Sequence, residues 1–169
     1  MNNSTASVWY NAGKKGKNAM ELQVKRFSEL STEELYEILR LRVSVFVVEQ
    51  KCPYMETDDL DQNALHVYFR DAEGIQAYLR IIDKSDTRKY VTIGRVISVK
   101  RRRGIGSELV REGIRLAMEI FGADTVYIEA QVYAQPFYEN LGFVRISGEF
   151  LEDGIPHVKM LWKRVESGE

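Results

Sequence analysis

Residues Tyr90 to Phe121 read YVTIGRVISVKRRRGIGSELVREGIRLAMEIF, and this stretch decides the fold. Its apolar first part predicts a strand, and the closely spaced Gly104 and Gly106 predict a loop. The apolar residues that follow at helical spacing predict a core-packed helix that stops at Gly122. The first turn of a helix leaves its backbone N–H groups unpaired and carries partial positive charge. We therefore expect the loop to bind an anion such as a phosphate.

Length and charge restrict the class of protein. The chain has 169 residues, which suits one domain, and its 24 Lys and Arg residues nearly balance its 25 Asp and Glu residues. This balance argues against attraction of the whole surface to nucleic acid or to an anionic membrane. The sequence shows neither a secretory signal pattern nor a long apolar run, so we expect a cytoplasmic protein.

The first 19 residues have no apolar period. We expect residues 1–19 to be a flexible leader or an expression remnant, and residues 20–169 to form a single domain. A strand pattern starts directly afterwards, over residues 21–27.

A capping box, Ser31-Thr32-Glu33-Glu34, predicts the start of a helix. Helical spacing of apolar residues continues to Phe46, although residues 43–48 are mostly β-branched. Proline disfavours helix in the residue before it, and Pro53 follows closely. We therefore expect helix, in two segments, to close near Glu49.

Acidic residues crowd the segment Glu56–Asp61. They could bind a metal or attract a cationic substrate, but the spacing lacks the glycine and the glutamate of a calcium loop. We expect a solvated loop with Asx-type turns instead, and no metal site.

The other elements are predicted as a hairpin, a strand, a short helix and two closing strands. They span residues 64–70 with 75–82, 125–132, 133–141, 142–147 and 157–162. The full order is β-α-α-β-β-β-α-β-α-β-β, which indicates a mixed α/β (α+β) fold with a central sheet flanked by helices.

Arg95 conflicts with the strand that contains it. Strict alternation would place this side chain on the buried face with Ile93 and Ile97, where an unpaired charge is costly. A bulge near Gly94 would remove the conflict and would leave backbone groups unpaired beside the glycine loop.

Two motifs carry a resemblance to a known family. Residues 101–106, RRRGIG, resemble the R/Q-x-x-G-x-G/A element of the GNAT superfamily of acetyl-CoA-dependent N-acetyltransferases. Residues 131–143, QVYAQPFYENLGF, resemble the N-x-x-A-x-x-F-Y-x-x-x-G-F element of the same superfamily. Residues 42–54, 94–96 and 152–157 look like its ElaA branch. The resemblance covers about residues 20–163 and implies a mostly antiparallel GNAT sheet.

The resemblance implies acetyl-CoA as the cofactor. Backbone N–H groups from Arg103 through Ser107 would hold the pyrophosphate, and the strand end would pair with the pantetheine arm as an added strand would. At Gln131 many members have Asn, so a contact from this amide to the cofactor is in question. The expected cofactor-binding residues are Ile97, Ser98, Val99, Arg101, Arg102, Arg103, Gly104, Ile105, Gly106, Ser107, Gln131, Phe137 and Tyr138.

In this family the amine attacks the thioester directly, so no acyl-enzyme nucleophile is required. The resemblance makes Tyr138 the general acid that protonates the leaving thiolate, although its ring could merely pack beside Phe137. A backbone N–H near Val99, freed by the bulge, would stabilise the oxyanion. The single cysteine, Cys52, is expected to be a packed residue and not a catalytic thiol.

The general base has several candidates. Glu49 and Glu129 are both considered for this role, as is His66. We also expect His66 and His157 to lie on the acceptor side. A surface carboxylate or a hydrogen-bonded histidine is the commoner reading for each, so the sequence leaves the choice open.

The leading hypothesis is an N-acetyltransferase that moves the acetyl group of acetyl-CoA to a primary amine. A non-catalytic module that binds coenzyme A is the alternative. Nucleic-acid binding through residues 100–103 is a third reading, but the basic run is short and adjoins a glycine loop. We expect no nucleic-acid or membrane partner. Exposed strand edges could pair two copies of the chain into a homodimer, and the sequence leaves the oligomeric state open.

Overall fold

The computed structural model describes residues 20–84 and 90–165, so the predicted leader lies outside the described residues. Helix α1 spans Thr32–Arg42, α2 spans Ile105–Phe121 and α3 spans Gln135–Glu139. The strands of the described residues are β1 Glu21–Arg26, β2 Leu65–Asp71, β3 Gly74–Asp83, β4 Val91–Ser98, β5 Thr125–Gln131, β6 Val144–Arg145, β7 Phe150–Glu152 and β8 Ile155–Lys163.

The strands form one twisted sheet in the order β1-β2-β3-β4-β5-β8-β6, with β7 paired to β8. Every pairing is antiparallel except that of β4 with β5, which run parallel. These two strands pair only at Val91 with Val126 and at Thr92 with Tyr127. The predicted mixed, mostly antiparallel sheet is confirmed, and a gap opens between β4 and β5 beyond their first residues.

The first helix begins at the predicted capping box. The Ser31 hydroxyl accepts the Glu34 N–H at 3.2 Å, and the Glu34 carboxylate accepts the Ser31 N–H at 2.9 Å. The chain then continues without a break into a π-helical segment, Val43–Glu49, and the Gln50 N–H still donates to the Val45 carbonyl. The predicted helix to Glu49 is therefore confirmed, with a wider second part.

Helices cover both faces of the N-terminal half of the sheet. Side chains of α2 such as Leu109 and Val110 are fully buried against one face. The helix backbone lies close to this face at Gly113, where a Cβ would be only 3.0 Å from the Leu79 side chain. On the opposite face Ile38 of α1 packs in a second buried cluster with two tyrosines of β2 and β3. Each fully buried aliphatic side chain contributes roughly 1.5–3 kcal/mol.

Several predicted element boundaries near the C-terminus differ from those of the structure. The strand predicted at 142–147 is only Val144–Arg145. The helix predicted at 133–141 is the short α3, preceded by a 3-10 turn at Val132–Ala134. The last strand begins at Ile155, two residues early, because it also pairs with β7 across the predicted hairpin turn.

The prediction of a solvated acidic loop was wrong for Glu56 and Asp61, although Asp59 is exposed. Glu56 and Asp61 are only 3% and 6% exposed, and both bind the fully buried Arg42 at 2.6 Å. One Asx-type turn is present, in which the Leu60 N–H donates to Asp58. Burial of these carboxylates is tolerated because arginines distant in sequence neutralise them.

In the described part of the chain, no helix is long and apolar enough to cross a membrane.

Candidate active site

The predicted bulge lies in β4. Tyr78 pairs with Ile97 and Arg80 pairs with Gly94, so β4 carries one more residue than β3 between these pairs. The backbone of Arg95 has a φ of 53°, in the left-handed region. The bulge turns this side chain out of the core, which removes the buried-charge conflict seen in the sequence.

The edge of β4 that faces the gap is set by its pairing with β3. The Val99 N–H donates to the Gln76 carbonyl at 2.9 Å, so Val99 itself does not supply the free N–H expected near it. Along two antiparallel strands, residue pairs that exchange backbone hydrogen bonds alternate with residue pairs that do not. The backbone N–H and C=O of Ser98, one residue earlier, therefore point away from β3 and into the gap beside β5.

The glycine loop joins the end of β4 to α2. Gly104 has a φ of 80° and forms the N-cap of α2 without a side-chain hydrogen bond. The first-turn N–H groups are thus left to a ligand or to solvent. A Cβ on Gly106 would lie 3.4 Å from the Ser98 Cβ and 3.8 Å from the Phe137 ring. The loop, the end of β4 and α3 consequently converge at Gly106.

The basic residues of the loop differ in their partners. Lys100 pairs with Glu73 at 2.8 Å, and Arg101 pairs with Glu49 of the π-helical segment. Arg102 and Arg103 are exposed. Of the four basic side chains, Arg102 and Arg103 are therefore the ones most accessible to a phosphate group of a ligand.

Tyr138 lies in an aromatic cluster beside the loop. Its ring is edge-on to Phe137, with 4.9 Å between the ring centroids, and to Phe143 at 5.7 Å. Burial raises the pKa of the Tyr138 phenol, and Tyr133 adds to the increase. No hydrogen bond joins its hydroxyl to another described residue. Tyr138 is therefore a neutral phenol whose proton is not committed to a partner in the described fold.

A groove of about 470 Å³ runs between the helical segment and the end of β4. Its helical wall is formed by Leu41, Ser44, Val45 and Glu49, and its strand wall by Ser98, Val99 and Arg101. The groove shares Ser98 with the gap and the loop, so a molecule held in the gap would meet a second molecule held in the groove.

Residues 28–164 match the family model described as an acetyltransferase (GNAT) domain. The chain belongs to the GNAT acetyltransferase family. The match covers most of the chain and confirms the family resemblance of the sequence motifs. Membership makes the protein an acyltransferase of the class that uses acyl-CoA.

Relatives and solved structures support the ElaA branch. Protein ElaA of Escherichia coli is 38% identical over 145 residues, which are 83% of this chain and 95% of that protein. The crystal structure of E. coli ElaA superposes with a TM-score of 0.80 at 35% identity and covers 85% of this chain and 99% of that one. A structure titled as an acyl-CoA N-acyltransferase from Pseudomonas aeruginosa has a TM-score of 0.78 at 38% identity, covering 83% of this chain and 98% of that one.

The two carboxylates proposed as bases occupy different places in this GNAT domain. Glu49 lines the groove and is held by Arg101. Glu129 is exposed on β5 and accepts a hydrogen bond from the Tyr127 hydroxyl at 2.7 Å. Only Glu49 shares a groove with Ser98, so the structure brings one of the two to the gap.

The structure separates the two histidines. His66 is fully buried, with Nδ1 2.8 Å from the Tyr78 hydroxyl and Nε2 3.0 Å from the Asp61 carbonyl. Burial lowers its pKa, which favours the neutral ring. The expectation that His66 faces an acceptor was wrong, since no atom of it reaches a surface. His157 is 8% exposed, its Nδ1 lies 2.8 Å from the Ile155 carbonyl, and it pairs across the sheet with Gln131.

Gln131 and Cys52 fasten the segment after Glu49 to the C-terminal half. Gln131 Nε2 donates to Gln50 Oε1 at 3.0 Å, so this amide is engaged with the protein. The Cys52 thiol is buried and lies 3.4 Å from the Asp153 carbonyl. The packed reading of Cys52 is confirmed. These two contacts attach the segment that follows Glu49 to β5 and to the turn before β8.

Proposed function

We propose that this protein is an N-acetyltransferase that moves the acetyl group of acetyl-CoA directly to a primary amine. The observation that carries the proposal is the convergence at Gly106 of an uncapped helix start, the open edge of β4 and the aromatic pair of α3. These three features supply an anion site, a strand-pairing site and a proton donor at one place.

The residues present suit coenzyme A. The first-turn N–H groups of α2 would bind the pyrophosphate, with Arg102 and Arg103 beside them. The outward backbone C=O of Ser98 would accept a hydrogen bond from an amide of the pantetheine arm, as in an added strand. Bound acetyl-CoA would supply a thioester, which is an acyl donor that needs no further activation by a nucleophile of the protein.

The side chains then divide the proton work. When acetyl-CoA is bound, its thioester would supply the acyl group, and a neutral amine would bond to the acyl carbon as the carbon–sulfur bond breaks. The Tyr138 hydroxyl would donate its proton to the departing thiolate. Glu49 would take the proton that the amine loses, once its carboxylate no longer binds Arg101. The Ser98 N–H would stabilise the negative charge that develops on the acyl oxygen.

Direct transfer is supported by the environment of the one cysteine. A covalent route through a thiol would need a reactive cysteine beside the groove. Cys52 instead is buried against the carbonyl of Asp153 and fastens one loop to another. The cytoplasmic location, the absence of nucleic-acid and membrane partners and the homodimer stay predictions.

The test is acetyl-CoA turnover by the purified protein over a panel of small and peptidyl primary amines. We expect thiol release that depends on one class of amine, with an N-acetylated product in its mass spectrum. Tight acetyl-CoA binding without thiol release for any amine would favour the non-catalytic module. No acetyl-CoA binding would overturn both.

A further inference from the structure

Six charged side chains form one cluster between α1, β3 and β4, on the side of the sheet that carries the groove. The members of this charge cluster alternate in sign along the chain of contacts, and they are Asp58, Arg80, Asp61, Arg42, Glu56 and Arg95. Arg42, Glu56, Asp61 and Arg80 are all buried. The reaction proposed above uses none of them.

Glu56 holds a special position because it reaches two different elements. It accepts from Nε of Arg42 at 2.6 Å and from Nε of Arg95 at 2.8 Å and 3.0 Å. The Tyr54 hydroxyl also donates to it. Arg42 is the last residue of α1, and Arg95 is the bulged residue of β4. One carboxylate therefore ties the end of a helix to the bulge of a strand.

The same two elements are the walls of the groove. Leu41 and Ser44 flank Arg42 on the helical wall, and Ser98 follows Arg95 by three residues on the strand wall. A second contact acts in the same direction, since the Arg95 guanidinium lies over the Phe46 ring at 5.8 Å from its centroid. The separation of the walls consequently depends on how Arg95 is held.

Arg95 needs to be held, because its backbone is in a conformation that residues other than glycine seldom adopt. Without the bulge, β4 would return to regular alternation and its register against β3 would shift by one residue. The backbone N–H and C=O of Ser98 would then point towards β3 instead of into the gap. The Glu56 carboxylate, whose two oxygens share the Nε–H of Arg95, and the contact with the Phe46 ring oppose that change.

We infer that Glu56 is a positioning residue that fixes the bulge of β4 against α1 and so sets the geometry of the strand edge that receives acyl-CoA. The inference rests on the proposed use of acetyl-CoA. Glu56 acts through Arg95 and not by contact with the substrate.

Asp61 offers a matched control. It is as buried as Glu56, it is also an acid, and it binds the same Arg42 at 2.6 Å. Its other arginine partner is Arg80 at 2.8 Å, whereas within the described residues no ion pair joins it to Arg95. Glu56→Gln and Asp61→Asn therefore remove comparable buried charges, and only the first loosens the bulge.

The experiment compares the full-length variants by calorimetric titration with acetyl-CoA and by hydrogen–deuterium exchange of the peptide covering residues 92–99. We expect both substitutions to lower the Tm. Glu56→Gln should raise the Kd for acetyl-CoA by roughly tenfold, because small displacements of a positioned group are costly. It should also speed exchange over β4, whereas Asp61→Asn should leave both readouts close to those of the parent.

Arg95→Gln keeps the inference testable if Glu56→Gln does not fold. Glutamine removes the guanidinium but leaves the strained left-handed backbone in place, and Glu56 keeps Arg42 and Tyr54 as partners. We expect this variant to behave as Glu56→Gln does. Equal Kd and exchange changes in Glu56→Gln and Asp61→Asn, or parental values in Arg95→Gln, would overturn the inference. A parent that binds no acetyl-CoA would sink the proposed function, and the exchange data would still decide whether Glu56 holds the bulge.

Discussion

Arg101 of the glycine loop binds Glu49 of the π-helical segment across the mouth of the groove. This pair joins a residue expected to meet coenzyme A to a residue proposed as the base. Both side chains are more than half exposed, so the pair contributes little to folding, on the order of 0–1 kcal/mol. A phosphate that takes Arg101 would free the carboxylate of Glu49 for an amine.

Replacement of Glu49 tests the base directly. We expect Glu49→Gln to lower kcat by about 100-fold with the best amine, because general-base catalysis is worth on the order of 10²–10⁴. The Kd for acetyl-CoA should not rise, since Arg101 then has no carboxylate to leave. Steady-state kinetics and titration measure the two effects. Glu129→Gln is the control, and a loss of kcat in this variant alone would move the base to β5.

The acid role of Tyr138 is tested by pH. Burial raises the pKa of this phenol, so its proton stays in place into the alkaline range and the parent should keep its activity there. Tyr138→Phe should lower kcat by about 100-fold. Tyr36→Phe, at a tyrosine that is 69% exposed on α1, should have no effect. If Tyr138→Phe leaves the rate and its alkaline limb intact, the assigned role is wrong.

The part of the site that the sequence predicted is local in the chain. The strand, glycine loop and α2 are contiguous, and the capping box at Ser31 and Glu34 lies within four residues. The bulge could also be predicted, because Arg95 broke the pattern of its own strand. In each case, the residues that decide the structure are close neighbours.

What the sequence did not predict depends on distant pairing. Glu56 and Asp61 are buried because Arg42, Arg80 and Arg95, from three separate elements, bind them. Likewise the Val99 N–H is occupied because Gln76 happens to lie opposite it. The charged Arg80 in the middle of an apolar strand, like Arg95 in the next one, was an available signal of a buried partner.

Acid should destabilise the fold through Asp58. Burial alone would raise the pKa of Asp58, but hydrogen bonds and charge from Arg80 outweigh it and lower the pKa to about 2. The unfolded value is about 3.9. This group's stabilisation is therefore present above pH 4 or so and is lost as the pH falls towards about 2.

Asp58→Asn should remove that dependence. We expect it to lower the free energy of unfolding near neutral pH by about 1–2 kcal/mol and to flatten its decline between pH 4 and pH 2 or so. Denaturant unfolding across this pH range measures both. Glu73→Gln, which breaks an exposed pair with Lys100, should leave the free energy of unfolding close to that of the parent. An acid profile of Asp58→Asn that parallels the parent would contradict the assignment.

Gly104 and Gly154 allow the loop's role in binding to be separated from its role in folding. Their φ angles are 80° and 79°, and a Cβ on either would meet no atom within 4 Å. Alanine at either position should therefore cost a similar amount, about 1 kcal/mol, through backbone strain alone. Only Gly104 caps α2, so only Gly104→Ala should also displace the first-turn N–H groups.

We expect Gly104→Ala to weaken acetyl-CoA binding by roughly tenfold in calorimetric titration, because misplaced donors lose their alignment with the phosphate oxygens. Gly154→Ala lies in the turn between β7 and β8 and should bind as the parent does, despite an equal fall in Tm. Equal weakening in both variants would show that binding follows overall stability. In that case the start of α2 would not be the anion site.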